Sequence, residues 1–470
     1  MLFNSFQFLI FFPLVAVIYF VIPYRFRVLF LLLSSYYFYM NWQPVYAVLI
    51  FFSSTITWLC GLVIQKEKLK GKRKAYLVIS LIINFGILFF FKYFNFVNDT
   101  IFNLLESANL RWQVPNFDVL LPVGISFYTF QAVGYTIDVY RGDLKAEQNF
   151  FVYALFVSFF PQLVAGPIER AKNLLPQLHQ RKYFSIENFK HGLSLIIWGL
   201  FMKVVVSDRI GLYVDATYNN VGDHNGVSLA LATVLFSFQI YCDFAGYSSI
   251  AIGTARIIGF ELMTNFKRPY FSKSIAEFWH RWHISLSTWF RDYLYIPLGG
   301  NRVSKPRTYL NLFVTFVVSG IWHGANWTFV IWGALHGLFN TIQKYTRFGN
   351  RRKQLHVISM LAMISVNYVL VTFAWIFFRA NSLRDAELII GKIFSFEGSL
   401  YLGDISTILY GGLGLMLLVL KETREEYFPQ RLKFMSSQNA WSYSFSHALI
   451  ILIILSIGVF NGGQFIYFQF

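Results

Sequence analysis

The stretch TYLNLFVTFVVSGIWHGANWTFVIWGALHGLFNTIQ, Thr308–Gln343, runs 36 residues without Asp, Glu, Lys or Arg. As one α-helix it would be ~54 Å long, far beyond the ~30 Å hydrocarbon core of a bilayer. It must therefore break, and Gly320-Ile-Trp-His323-Gly324-Ala-Asn326 is the place where small and polar residues permit it. Basic residues flank both ends, Lys305 and Arg307 before and Lys344 after. The spacing predicts a hairpin with arms of ~24 Å, its turn within the membrane depth or at a thinned outer face. Non-helical backbone at that depth is tolerated only where protein or a water-filled cavity covers it. His323 is thus expected deep, at a broken helix, near an internal cavity.

The whole chain has the same character. Of 470 residues, 56% are hydrophobic and 20% aromatic, with 54 Phe, while 13% are charged, about half of the ~25% usual in soluble domains. A soluble shell needs more charge than this. Disorder, nucleic-acid binding through a basic tail and a small disulfide scaffold are excluded, and the apolar residues run in long blocks, not in the alternation of a β-barrel. The fold class expected is an all-α polytopic membrane protein. The net charge of +17 then reads as basic cytosolic loops. Two cysteines, Cys60 and Cys242, suggest neither a disulfide framework nor a zinc site. Met1–Pro23 lacks a basic n-region and a small-residue cleavage site, so it reads as a retained membrane helix.

Candidate spans are Phe6–Tyr24, Phe26–Met40, Val45–Ile64, Ala75–Phe91, Val119–Ile137, Phe150–Val164, Leu193–Val206, Val227–Ile250, Tyr309–Ile321, Trp327–Ile342, Val357–Phe378, Ile405–Leu420 and Ser444–Phe460, with Ile252–Phe260 re-entrant or interfacial. Gln65–Lys74, Phe266–Arg307 and Lys344–Lys353 are rich in base and should be cytosolic, whereas Asn98–Phe117 and Ser207–Asn225 read as outer loops. Alternation puts both termini outside. It also requires either Val119–Ile137 or Phe150–Val164 to be re-entrant, with the breakers Pro122-Val-Gly124 or Gly166-Pro167 as the cause. No internal repeat or linker is visible, so one membrane domain, 1–470, is expected.

Polar residues in apolar surroundings mark the candidate chemistry. The imidazole of His323 is suited to general acid–base work near neutrality, or to bonding a neighbouring helix. His336, among small neighbours, suits packing or a supporting role. In Ile275–Tyr293, Glu277 and Arg281 are spaced to pair at i,i+4, and Trp279 and His283 would share a helix face. That segment reads either as a helix lining a cytosolic-side tunnel with His283 inside, or as an amphipathic interfacial helix. Asp243 lies inside an apolar run, so it must be paired, protonated or facing a cavity; anchoring a helix break at Gly246 is the structural alternative. No short ligand spacing supports a metal site from His283, His323 and Asp243. No P-loop, GxSxG or CxxC motif is found.

These motifs together resemble the membrane-bound O-acyltransferase (MBOAT) family, in particular its bacterial branch of alginate O-acetyltransferase type. The likeness rests on LPVGISFYTF (Leu121–Phe130), IDVYRG (Ile137–Gly142), FPQLVAGP (Phe160–Pro167), YCDFAGYS (Tyr241–Ser248), AEFWHRWHISLSTWFRD (Ala276–Asp292), LGGNR (Leu298–Arg302), SGIWHGANW (Ser319–Trp327) and the aromatic C-terminus Tyr467–Phe470. It covers nearly the whole chain. The resemblance implies a funnel of about 11–13 transmembrane or re-entrant helices with an active site inside the membrane. The family's essential histidine falls on His323 and its upstream histidine on His283. Around them, Trp279, Arg281, Tyr241, Asp243, Trp322, Asn326 and His336 are the candidate substrate-binding residues.

The resemblance further implies a bacterial inner-membrane enzyme that takes acetyl from a cytosolic thioester, acetyl-CoA in the first instance, with no bound cofactor. Lys267, Arg268, Lys273 and Arg302 are expected to attract CoA phosphates. A periplasmic or membrane-anchored acetyltransferase partner would then esterify a polysaccharide such as alginate, since no soluble transferase domain follows the last helix. Rival readings keep the fold but change the acyl group (D-alanyl transfer to teichoic acid) or the acceptor (peptidoglycan, cellulose). A transporter without acyl chemistry is the reading from another class, and the missing inverted repeats count against it.

Overall fold

The computed structural model describes residues 1–110, 114–118, 120–164, 166–346, 356–395, 398–428, 435, 440–460 and 465–466. Val119, Ala165, residues 111–113 and 347–353 of two segments expected as loops, and the C-terminal motif Tyr467–Phe470 lie outside them. All regular structure among the described residues is helical. Six helices are long and apolar enough to cross a membrane, namely Pro44–Lys66, Lys70–Ser107, Gly226–Ile257, Val357–Arg379, Ile405–Tyr427 and Ala440–Ile457. The chain falls into two compact units, Met1–Phe189 with Thr254–Met263, and Lys190–Gly253 with Thr264–Phe470.

In the first unit a helix break stands at Phe159, between helices Phe150–Ser158 and Phe160–Leu163, within one of the two segments expected to be re-entrant but ahead of the Gly166-Pro167 pair expected to cause it. Pro161 has no N–H for the Val157 carbonyl. The groups freed by the break are satisfied inside the protein: the Phe160 N–H donates to Ser35 Oγ (3.1 Å), and the Phe156 carbonyl accepts from Gln131 Nε2 and Gln162 Nε2, both at 2.7 Å. Gly124, with φ +74°, opens the buried helix Ile125–Arg141, and a Cβ there would lie 2.6 Å from the Leu163 carbonyl oxygen. Asn98–Phe117, expected as a loop from its polarity, is helical over its first half. The helix runs on to Ser107 through a π-turn at Phe89–Tyr93. Its asparagines tie down the returning chain: Asn98 Nδ2 donates to the Val114 carbonyl (2.7 Å) and Asn95 Nδ2 to that of Phe117 (2.8 Å).

Two further expectations fail in the second unit for related reasons. Ser207–Asn225 is largely helical, as Asp208–Tyr218, because its acids are paired: Asp208 with Lys203 (2.7 Å) and Asp215 with Arg379 (2.7 Å). The helix Gly226–Ile257 runs unbroken through Gly246 and onward to Ile257, so Ile252–Phe260 is no separate re-entrant piece. Its glycines serve close approach instead. A Cβ on Gly246 would meet the Gly199 carbonyl oxygen at 2.7 Å, and one on Gly253 that of Gly192 at 2.5 Å. Two glycine pairs, each seven residues apart, thus let the backbones of Ile186–Leu200 and Gly226–Ile257 touch.

The core of this unit is aromatic. Trp282, Trp332, Trp375, Phe236 and Phe278 are fully buried. Trp332 and Trp375 stack at 5.7 Å, and Phe278 and Trp282 at 5.4 Å. The candidate site lies within this core.

Candidate active site

The hairpin forms as the charge-free stretch requires. Helices Lys305–His323 and Trp327–Thr346 are joined by Gly324-Ala-Asn326. Asn326 stabilises the second arm, its Oδ1 accepting the Thr328 N–H at 3.0 Å. The arms approach backbone to backbone: a Cβ on Gly320 would lie 2.3 Å from the Phe329 carbonyl oxygen, and one on Gly333 2.4 Å from that of Phe316. His323 ends the first arm and is 2% exposed. Trp322 and Trp332, each with its ring centre 4.9 Å from that of His323, and Phe378 at 5.5 Å, all meet it in T-shaped contacts.

His283 reaches the same core by a different route. The helix Ile275–Arg281 stops before it, and His283 adopts a left-handed conformation (φ +41°, ψ +55°) ahead of Ile284–Phe290. The expected single helix face shared by Trp279 and His283 therefore does not exist. Such a conformation costs a non-glycine residue ~1–3 kcal/mol, and Asn265 holds it in place. The Ile284 N–H donates to the Asn265 carbonyl (2.9 Å), and the Ser285 hydroxyl donates to Asn265 Oδ1 (2.9 Å). The kink turns the fully buried His283 ring toward Phe244 (4.6 Å), Trp322 (6.1 Å) and His323 (6.5 Å between ring centres). Two imidazoles and Trp322 are thus brought together in an aromatic enclosure. Neutral imidazoles can give or take protons near neutrality, and such walls keep water from a reactive ester.

Residues 143–384 of this chain match the membrane-bound O-acyltransferase (MBOAT) family. The chain belongs to that family. Relatives extend the likeness over almost its full length. A "Probable alginate O-acetylase" of Pseudomonas putida is 36% identical, with all of both chains covered. One from Pseudomonas syringae pv. tomato is 38% identical over 92% of this chain and 82% of its own. A "Peptidoglycan O-acetyltransferase" of Helicobacter pylori is 34% identical over 79% and 74%. The protein is a multi-pass membrane acyltransferase.

In this MBOAT chain the other candidate residues fall in three places. Trp279, Trp322 and His336 stay with the aromatic core. The Trp279 indole N–H donates to His336 Nδ1 (3.3 Å), and Trp332 separates His336 from His323, with its ring centre 4.9 Å from each. Asn326 remains at the hairpin turn. Tyr241, Asp243 and Arg281 are instead engaged in polar pairings. The Tyr241 hydroxyl donates to Glu422. Arg281 pairs with Glu277 (2.7 Å), as spaced, and with Glu426 (2.8 Å). Glu426 also holds Arg268 (2.7 Å), so this arginine, expected to attract phosphate, is already neutralised locally. Asp243 pairs with Lys203 (2.6 Å) and accepts the Ile466 N–H (2.6 Å).

Sequence reasoning passed over Lys203, Glu422 and Asn265. Lys203 sits in the apolar run Leu193–Val206, and that alone was a signal, because a charge there needs a partner. Among the described residues no three of His, Cys, Asp and Glu converge as metal ligands.

Proposed function

We propose that this protein transfers acetyl from a cytosolic thioester across the membrane, for O-acetylation of a cell-envelope polysaccharide outside. The observation that carries the reading is the buried His323–His283 pair, 6.5 Å apart in an aromatic enclosure, in a chain of an acyltransferase family. The relatives named for alginate O-acetylation favour alginate or a similar polymer as acceptor. The relative named for peptidoglycan keeps that polymer as the alternative.

In this scheme His323 is the general base toward an acceptor hydroxyl or carries the acetyl briefly. His283 orients the thioester carbonyl or stabilises charge on its oxygen. Rings at this separation allow one reacting centre to lie within hydrogen-bond reach of both. Acetyl-CoA is the donor and no cofactor is bound. The base-rich loops face the cytosol of a bacterial inner membrane and both termini face outward. A periplasmic or membrane-anchored acetyltransferase completes the transfer.

The test gives purified protein labelled acetyl-CoA, with and without that partner, and follows free thiol and label, with His323→Ala as control. Thiol release that is lost in the variant is the expected result. Equal release by a folded His323→Ala protein overturns the assignment of His323, and release only from a carrier-bound D-alanyl thioester overturns acetyl as the acyl group.

A further inference from the structure

The helix Lys70–Ser107 is too long for the bilayer it crosses. Its 38 residues make ~57 Å, against ~30 Å of hydrocarbon. The excess is not folded back at the π-turn Phe89–Tyr93, because the returning chain braces that turn. The Phe117 ring lies 5.1 Å from Phe90 within the turn and 4.8 Å from Phe94 beyond it. Asn95 and Phe117 exchange two hydrogen bonds, Nδ2 to carbonyl (2.8 Å) and N–H to Oδ1 (3.0 Å), and Asn98 holds Val114 in the same way from further along. Phe94–Ser107 therefore continues the line of the span as an arm.

The level at which the arm leaves the bilayer can be read from its neighbour. Ala47–Lys66 has 20 residues, ~30 Å, and so marks both edges of the hydrocarbon. Lys66 closes it at the end where Lys70–Lys74 begin the long helix. At the other end Tyr46 meets Phe91, with ring centres 6.0 Å apart. Ile101 and Leu104, ten and thirteen residues past Phe91, stand ~15 and ~20 Å beyond that edge, whereas headgroups fill only ~5–8 Å on each side. With the basic end in the cytosol, the arm rises out of the outer face.

The arm is amphipathic. Val97, Ile101, Leu104 and Leu105 recur at i, i+4, i+7 and i+8, one face of a helix. Ile101 is 42% and Leu104 66% exposed. Among the described residues, no helix other than the π-turn it continues makes more than slight contact with the arm. An apolar face inside the bilayer needs no cover, but one above the headgroups stands in water, where it marks a protein contact. The charge adds a second constraint. Phe94–Asp118 holds three acids, Asp99, Glu106 and Asp118, and one base, Arg111, in a chain of net charge +17. Complementarity then calls for a partner whose apolar patch is rimmed by Lys or Arg.

We propose that the arm Phe94–Ser107 is the docking post for the acetyltransferase that receives the acetyl group outside, which seats a basic-rimmed apolar patch on Ile101, Leu104 and Leu105. The inference rests on the acyl-transfer reading, which supplies the partner, and names the surface that holds it.

The experiment uses the full chain in lipid nanodiscs with the full-length partner acetyltransferase, and reads binding apart from chemistry. Benzoylphenylalanine in place of Leu104 is photolysed in the complex, and the crosslinked species is identified by mass spectrometry. The Kd of the partner is measured for Ile101→Asp and Leu104→Asp, which place a charge at exposed positions, and for Asn103→Asp, which adds the same charge on the opposite face. A crosslink to the partner is expected, with Kd raised at least about tenfold in the two stripe variants and not raised in Asn103→Asp. Thiol release from acetyl-CoA without the partner should match the wild type in all three. Glu106→Gln should weaken binding severalfold at low salt and not at about 1 M salt; tighter binding in that variant overturns the basic rim. A partner crosslinked at position 104 while no acetyl reaches the polymer leaves the docking post standing and the acetyl-transfer reading fallen. Normal acetyl transfer with Kd unchanged in both stripe variants overturns the post alone. So does a crosslink to phospholipid, which would put the stripe in the membrane. A wild type that binds no partner overturns both the post and the need for a partner.

Discussion

Replacing Gly320 by alanine adds one methyl group at the point where the hairpin arms meet. That carbon would stand 2.3 Å from the Phe329 carbonyl oxygen and 3.1 Å from Gly333 Cα, against 3.4 Å or more for ordinary contact. The closest atom is backbone and cannot swing away. The arms must part by about 1 Å, and His323 is only three residues further along the same helix. Overpacking of this kind costs ~1–3 kcal/mol of stability, which a membrane domain of this size tolerates. The effect on chemistry should be larger in proportion, because a displacement of ~1 Å at a reacting group can reduce rate ~100-fold. That corresponds to ~2.7 kcal/mol of barrier. Gly320→Ala is thus expected to insert, to elute as a monodisperse species and to release thiol from labelled acetyl-CoA about a hundred times more slowly than the wild type. Gly412→Ala, where an added Cβ meets nothing within 4 Å, controls for the substitution itself. A Gly320→Ala enzyme with activity within about twofold of wild type would show that the tight hairpin does not position His323.

Other substitutions probe other parts. His323→Gln, which preserves volume and polarity, should fold normally and transfer no acetyl, as read from label on the acceptor polymer. Lys203→Met leaves Asp208 and Asp243 buried without their cation and should lower stability by ~3–5 kcal/mol, measured by thermal unfolding in detergent. Adding Asp208→Asn and Asp243→Asn should recover most of that loss, and no recovery would mean that packing, not charge, is what Lys203 supplies. A double-mutant cycle on Arg281 and Glu426, both partly exposed, should return a coupling of about 1 kcal/mol or less; a value several times higher would place this pair in a far drier setting.

The hairpin was legible because a physical limit forced it: no bilayer holds a 36-residue charge-free helix. The parity of the basic loops asked for a break in either Val119–Ile137 or Phe150–Val164 without saying which; the one at Phe159 is held by Ser35 and Gln131, far away in sequence, and by the nearby Gln162. What polarity alone suggested proved weaker. Asn98 and Asp208 looked like loop residues and are helical, because each spends its polar group on a partner inside the protein, Val114 and Lys203. Gly246 looked like a breaker and is a contact point, since composition cannot distinguish a glycine that bends a helix from one that admits a neighbour. The paired sevens, Gly192 with Gly199 and Gly246 with Gly253, were the available signal.

The two histidines show why the burial of one was readable from its own stretch and that of the other was left between two readings. His323 is positioned by its own neighbourhood in the chain, through an end of helix, a glycine turn and a returning arm, all within a few residues. His283 sits in a stretch with no proline or glycine to announce a break, and its left-handed backbone persists because Asn265, eighteen residues upstream, takes the Ile284 N–H and the Ser285 hydroxyl. Asn265 is itself held by Ser248, to whose hydroxyl oxygen its amide donates at 3.1 Å. The helix Gly226–Ile257 therefore sets the His283 ring through a two-step tether, and the same helix carries Phe244 against that ring. This makes His283 the more adjustable of the pair: a change at Asn265 or Ser248 alters its placement with the His323 hairpin untouched. Asn265→Ala should consequently impair the enzyme through His283 alone, and combining it with His283→Ala should add little further loss. Independent, multiplicative effects of the two substitutions would refute the tether.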